Sequence, residues 1–254
     1  MDMVIVGQGP IYIGDYDQTT YKVKNEVAIG CGNRVLSLSL TRETSEIKES
    51  CSGSRLTLME YETSKEGTIR LEMQEFDENM LAMALYGTAA TVSGSAVTGE
   101  TMPTMAVNGF YHTKYPDISA VTIKDSDNVT PATLVLNTDY EISHAKYGRI
   151  KILDLAAYTQ PFKIDYTYAG HENIKPFSIS NAIKAIRFDG ISTADNTRVR
   201  VLLPRIAFSP TDEFNFLGEE ATTLAIEGKL LMANTPTADP VLGQFGNIEI
   251  LKAA

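Results

Sequence analysis

A chain of 254 residues is long enough for one large β domain or two ordinary ones, and at that size about 70–75% of the unfolded surface can be buried without disulfides or metals. Apolar content of 43% and charged content of 21% exclude wholesale disorder. With 22 basic against 32 acidic residues the net charge is −10, which argues against a broad grip on nucleic-acid phosphates but not against letting nucleic acid slide past.

The N-terminal MDMVIVGQGPIYIG starts like a dinucleotide-binding turn, with a short apolar strand from Met3 to Val6 followed by Gly7 and Gly9. The fingerprint then fails. Tyr12 stands where the third glycine belongs, and Pro10 with the alternating IYIGDYDQTTYKVKN points to strand and turn. A cofactor site would need a helix there, its N-terminal amides facing the pyrophosphate. Gly7 and Gly9 are therefore expected to break a strand. Asp2 stands where a secretory signal wants positive charge, so no leader is expected. Cys31 and Cys51 are then expected to be reduced thiols, and the glycosylation pattern at Asn128-Val-Thr carries no weight.

Period-two alternation dominates the chain. In RVLSLSLTR (34–42), Leu36, Leu38 and Leu40 share one face while Ser37, Ser39 and Thr41 share the other. In GTIRLEMQEF (67–76), Ile69, Leu71 and Met73 alternate with Arg70, Glu72 and Gln74. Both predict antiparallel strands with one dry and one wet face. SRLTLMEYE (54–62) predicts a further strand, joined to the second by a turn at Ser64-Lys65-Glu66-Gly67. The stretch TRETSEIKESCSGSR (41–55) is too long and charged for a tight hairpin and is expected to be a loop.

FDENMLAMALYG (76–87) predicts the one clear helix. Asp77 is its N-cap, Phe76 and Leu81 can form a hydrophobic staple, and Glu78 sits where the helix dipole favours an anion. Gly87 is expected to supply the left-handed stop. Met80, Leu81, Ala84 and Leu85 form its packing stripe, with Met83 beside them. The longest apolar segment, 81–92, falls short of the ~20 residues a membrane span needs, so no span is expected.

From Thr91 to about Lys175 the texture changes. GSAVTGETMPTMAVNG (94–109) reads as a loop, followed by short strands at 118–125, 132–137, 139–143, 148–154 and 162–169. Their spacing suggests a small Ig-like β-sandwich. After it, ISNAIKAIRFDG, RVRVLLPRIAF (198–208) and TTLAIEGKLLM (222–232) return to the longer pattern, with Pro204 marking an edge or a bulge. The layout is mainly β, with one domain over 1–92 and 176–254 split by an insert over 93–175.

Catalytic and metal chemistry finds little support. His112, His144 and His171 are isolated, and there is no HExxH, zinc-spaced cysteine pair or GxSxG. DSDN (125–128) begins like a calcium loop, but Thr130 replaces the glycine and Leu136 the bidentate glutamate. Glu219 and Glu220 are adjacent and would point opposite ways on a strand. Neither enzyme, cofactor nor metal is expected. An adhesin or tail-fibre-like carbohydrate-binding module is a rival. Tyr111, Tyr115, Tyr158, Tyr166 and Tyr168 could stack sugars in place of the missing tryptophan, although packing of the insert accounts for them more simply.

The segment from 34 to 87, entered through VAIGCGN (27–33), resembles the N-terminal half of the major tail tube proteins of long-tailed bacteriophages. The order matches: an alternating strand, a charged loop ending at Ser-Gly-Ser, a strand pair, then DENMLAMALYG. RVRVLLPRIAFSPTDEFNFLGEEATTLAIEGKLLMA (198–233) is similar to that family's closing strands, and NTDYEISHAKYGRIKILD (137–154) to small β inserts that some members carry outside the tube. The resemblance implies a virion protein assembled in the host cytoplasm. It would form hexameric rings stacked into a tail tube of β-sandwich or barrel-forming sheets with one flanking helix. The insert leans towards the non-contractile type. Implied partners are further copies of the chain, the tape-measure protein, and tail-tip and tail-terminator proteins, with transient, non-specific passage of DNA.

On that basis Ser37, Ser39, Thr41, Arg70, Glu72, Gln74, Glu227 and Lys229 are candidates for the lumen-facing side. Glu43, Glu46, Lys48 and Glu49 are candidates for contacts between rings. The helix would pack outside the core sheet.

Overall fold

The computed structural model describes residues 7–127, 130–155, 158–180, 182–233 and 242–251. The strand expected at Met3 to Val6 and the glycosylation pattern at Asn128 fall at least partly outside them. The chain runs through β1 (Gly7–Gln8), β2 (Ile11–Asp17), β3 (Lys22–Ile29), β4 (Asn33–Lys48) and β5 (Thr57–Met73) to α1 (Glu78–Ala84) and β6 (Thr88–Val92). Short strands come next: β7 (Ser95–Thr101), β8 (Phe110–His112), β9 (Ile118–Lys124), β10 (Tyr140–His144), β11 (Arg149–Ile152) and β12 (Lys163–Tyr168). The chain closes with β13 (His171–Lys175), β14 (Ala182–Ser192), β15 (Arg198–Phe208), β16 (Leu224–Leu230) and β17 (Asn247–Leu251). The protein is mainly β, and α1 is the one α-helix among the described residues.

Two compact units result, one of residues up to 89 with those from 174 onward, the other 90–173. The first holds a nine-stranded antiparallel sheet in the order β3-β2-β14-β15-β16-β5-β4, with β1 on β14 and β17 on β15. Its core alternates along the strands as the sequence does: Ile69, Leu71 and Met73 from β5, Leu224, Ile226 and Leu230 from β16, Ile206 and Phe208 from β15. The second unit holds two three-stranded sheets, β10-β11-β8 and β7-β12-β9, around a core that includes Ile123, Ile150, Ile152, Phe162 and Ile164.

Of the two glycines in the first motif only Gly9 breaks a strand; Gly7 lies within β1 and pairs with Ser192. β1 ends at Gln8 and β2 resumes at Ile11. A Cβ at Gly9 would overlap the backbone of Asp189 and Gly190, so the chain needs glycine to cross there. Pro204 sits at a bulge: Lys184 faces Ile206 and Ile186 faces Leu203, leaving Pro204 and Arg205 opposite Ala185 alone. This absorbs the missing donor inside a central strand.

Several expectations are corrected. The loop at 41–55 is largely strand. β4 runs unbroken to Lys48, so Glu43, Glu46 and Lys48 are strand residues and only Glu49 lies in the turn. No glycine or proline occurs between Asn33 and Ser52 to end the strand, and the first glycine of the turn is Gly53, with φ +77°. The turn at Ser64-Lys65-Glu66-Gly67 is absent, and 57–73 is one strand. Gly67 is there because a Cβ would come 2.6 Å from Leu230 Cδ1. In the second unit 95–101 is strand rather than loop, held by its ladder to β12 instead of by any apolar period of its own. Residues 132–137, expected as a strand, make only isolated bridges at Thr133 and Leu136.

The helix is capped as its sequence demands, with the Asp77 carboxylate accepting from Met80 N–H at 2.8 Å. Its other end differs. Tyr86, not Gly87, takes the left-handed conformation, with φ 51°. Tyr86 N–H bonds Met83 O at 3.2 Å and Gly87 N–H bonds Ala82 O at 2.7 Å, the paired bonds of a Schellman motif. Gly87 is required instead by the Lys175 carbonyl, which a Cβ would meet at 2.7 Å.

Candidate functional site

β4, β5 and β16 lie side by side, and their registers align the polar residues. Ser37 faces Arg70, which faces Glu227; Ser39 faces Thr68, which faces Lys229; Thr41 faces Glu66. Seven of the eight residues expected on the wet side therefore share one face: Ser37, Ser39, Thr41, Arg70, Glu72, Glu227 and Lys229. Gln74 lies past the end of β5, where its N–H bonds Gly32 O at 2.9 Å. Glu66 and Thr68 join the face, although the residues around Glu66 suggest a turn.

The charges on this face are paired across the ladder. Arg70 holds Glu72 Oε1 at 2.6 Å through Nη2 and reaches Glu227 Oε1 at 3.3 Å through Nη1. Lys229 Nζ lies 2.7 Å from Glu66 Oε1. All remain solvated, so each pair is worth roughly 0–1 kcal/mol to folding. With two cations and three anions the face keeps a small negative excess.

The same hairpin continues beyond the sheet. β16 accompanies β5 only as far as Thr68, so 41–48 and 57–66 form a two-stranded ribbon with no third strand among the described residues. Ser45 faces Tyr61 and Ile47 faces Met59, which sets Ile47, Met59 and Tyr61 on one side, with Met59 56% exposed. Thr44 faces Glu62 and Glu46 faces Glu60 on the other side. Leu56 and Leu58 are exposed as well. An isolated two-stranded ribbon is marginal in water, and exposed apolar residues on an unpaired edge invite another chain.

The ribbon's turn is ordered by Glu49. Its carboxylate accepts from the Ser52 hydroxyl, from Cys51 N–H at 2.7 Å and from Ser52 N–H at 2.9 Å. These bonds, the hydroxyl's foremost, lower its pKa to about 2. Cys31 and Cys51 are free and exposed.

At the base of the hairpin the start of β4 faces β14, β15 and β17 across an open, mostly apolar cleft of about 920 Å³. Leu36, Leu38, Phe188, Val201 and Ile248 line it. Sequence periodicity identified Leu36 and Leu38 as apolar but could not show that their side of the sheet is incompletely covered.

On α1, Met80, Met83 and Ala84 are core, Leu81 packs against it half-buried, and Leu85 is the C-cap. Tyr111, Tyr115, Tyr158, Tyr166 and Tyr168 all pack on or in the core of the second unit. Tyr115 and Tyr168 stack at 4.1 Å. Tyr111 and Tyr166 both donate to Glu100, at 2.5 and 2.6 Å, and burial followed by that carboxylate raises both hydroxyl pKa values. Among the described residues no group of three or more His, Cys, Asp or Glu is placed to hold a metal ion, and no helix is long and apolar enough to cross a membrane.

Fold and site together define a β protein whose principal sheet carries a paired-charge polar face and an unpaired hairpin ribbon. The chain belongs to the family described as protein of unknown function UCP028589, whose model matches residues 4–249. No curated protein matches it.

Proposed function

We propose that this protein is a structural subunit of a bacteriophage tail tube, of the long, non-contractile type. In this reading hexameric rings of the chain stack into a hollow conduit for DNA, and the second unit is an Ig-like insert outside it. The observation that carries the proposal is the division of one sheet into a wet face of paired charges and a dry face, continued into a ribbon with exposed apolar side chains. Such a sheet has two requirements, water on one side and another chain along its free parts, and a ring-built tube meets both.

The face suits a conduit. Paired charges with a small acidic excess offer DNA phosphates no cluster of free cations to hold them, so passing DNA is not retained. The tape-measure protein would occupy the tube beforehand, and tail-tip and terminator proteins would bound it. Sedimentation velocity over a range of chain concentrations tests the reading. Large, concentration-dependent species are expected, and a single monomer boundary at every concentration contradicts it.

A further inference from the structure

The outer face of the β10-β11-β8 sheet gathers cations and aromatic rings. β11 is its central strand, and Ile150 and Ile152 turn into the core, so Arg149 and Lys151 stand on the outside. The register sets two rows across that face: His112, Arg149 and His144 in one, Phe110, Lys151 and Glu141 in the other. Tyr111, between Phe110 and His112, turns inward to Glu100. With neighbouring strands about 5 Å apart, each row spans about 10 Å.

The face is basic in a chain of net charge −10. The one carboxylate in the two rows, Glu141, lies 3.7 Å from Lys151. Arg149 makes no ion pair among the described residues, and its Nε is buried without a hydrogen-bond partner. Its guanidinium lies over the Phe110 ring, 5.4 Å from the centroid, and Phe110 remains 53% exposed. At the other end of the face the short 3-10 turn Ala145–Tyr147 holds the Tyr147 ring 4.4 Å from that of His144 and leaves Tyr147 68% exposed.

We propose that this face binds an acidic polysaccharide whose sugar rings carry carboxylates, a polyuronate. Phe110 and Tyr147 offer apolar surface to the C–H faces of the sugars. Arg149 offers a carboxylate the paired donors of its fork, and Lys151, His112 and His144 supply further donors around it.

The other polyanions fit less well. Nucleic acid carries a phosphate at every nucleotide, and two cations on an acidic chain are too few to hold it. A peptide is recognised through its backbone at a sheet edge, which makes no use of side chains on the face. A sugar chain gains from the rings as well as from the cations. The site lies wholly within the second unit, so it stands whether or not the chain builds tubes.

The test is isothermal titration calorimetry of the full-length chain with short oligogalacturonate, beside neutral dextran oligomers, polyglutamate and single-stranded DNA of similar length. Oligogalacturonate is expected to bind and the others are not. Arg149→Gln should weaken that binding about tenfold, the loss of a charge-assisted paired contact. Tyr147→Ala should weaken it too, at an unchanged unfolding temperature, because this ring lies at the surface. Lys163→Ala, on the other sheet of the unit, should bind as wild type does. Absence of binding, or wild-type affinity in either Arg149→Gln or Tyr147→Ala, overturns the proposal. So does equal affinity for dextran, which leaves the cations no role, or tighter binding of DNA or polyglutamate, which makes the face a general anion-binding surface. Each of these failures leaves the tube standing, since none of the readouts depends on assembly.

Discussion

Arg70 on β5 and Glu227 on β16 are direct cross-strand partners, and the same guanidinium grips Glu72 two residues along its own strand. One cation therefore holds two carboxylates on the face assigned to the tube interior. Replacing both Glu72 and Glu227 with lysine turns that group into three cations. Phage particles built with the doubly substituted chain should eject DNA more slowly, because a cationic wall holds phosphates. Unchanged ejection kinetics would remove this face from the lumen.

Gly67 is a packing requirement. A Cβ at this position would lie 2.6 Å from Leu230 Cδ1 and 3.1 Å from Leu40 Cδ2, and Leu230 is itself buried. Gly67→Val is expected to cost about 1–3 kcal/mol through overpacking. Urea unfolding of the variant checks this, and an unchanged midpoint would contradict it.

Glu49 makes the ribbon's turn sensitive to acid. Its folded pKa of about 2 lies below the ordinary 4.5, so the ionised form favours the ordered turn. That contribution is complete above the unfolded pKa and is lost as pH falls from about 4.5 through 2. Amide exchange at Cys51 and Ser52 should therefore lose its protection across that window, and Glu49→Gln should lose most of it already at pH 7. Protection in the variant equal to wild type would show that the carboxylate does not order the turn.

Glu100 ties the second unit together. It accepts from two tyrosine hydroxyls and from Lys114 N–H at 3.0 Å. Glu100→Ala leaves half-buried Tyr111 and buried Tyr166 without their acceptor, and should destabilise this unit by about 1–3 kcal/mol. Differential scanning calorimetry of the full chain reads the loss, and an unshifted transition would contradict it.

Where a strand buries one face, the sequence was legible. Ile69, Leu71 and Met73 were placed by alternation alone, and the helix by its Asp77 cap. Legibility failed wherever a residue answers to a distant partner. Gly67 reads locally as a turn, but Leu230, 163 positions on, is what excludes a side chain there. Gly87 reads as a helix stop, while Tyr86 takes the left-handed conformation and Lys175 demands the glycine. Residues 41–48 look like a loop because charge is usual in loops, yet charged residues are equally at home on a ribbon wet on both sides. The cleft could not be read at all, since it depends on how far one sheet curls towards its own edge.

The most direct test of the tube itself is negative-stain electron microscopy of the concentrated wild-type chain beside a variant in which residues 44–63 are replaced by Asn-Gly. The replacement closes the hairpin at Glu43 and Ser64 and leaves the core strands whole. Hollow tubes or stacked rings from wild type, and dispersed folded particles from the variant, are the expected result. Dispersed monomers from wild type after several days at high concentration, or tubes from both chains, would contradict an assembly joined through this ribbon.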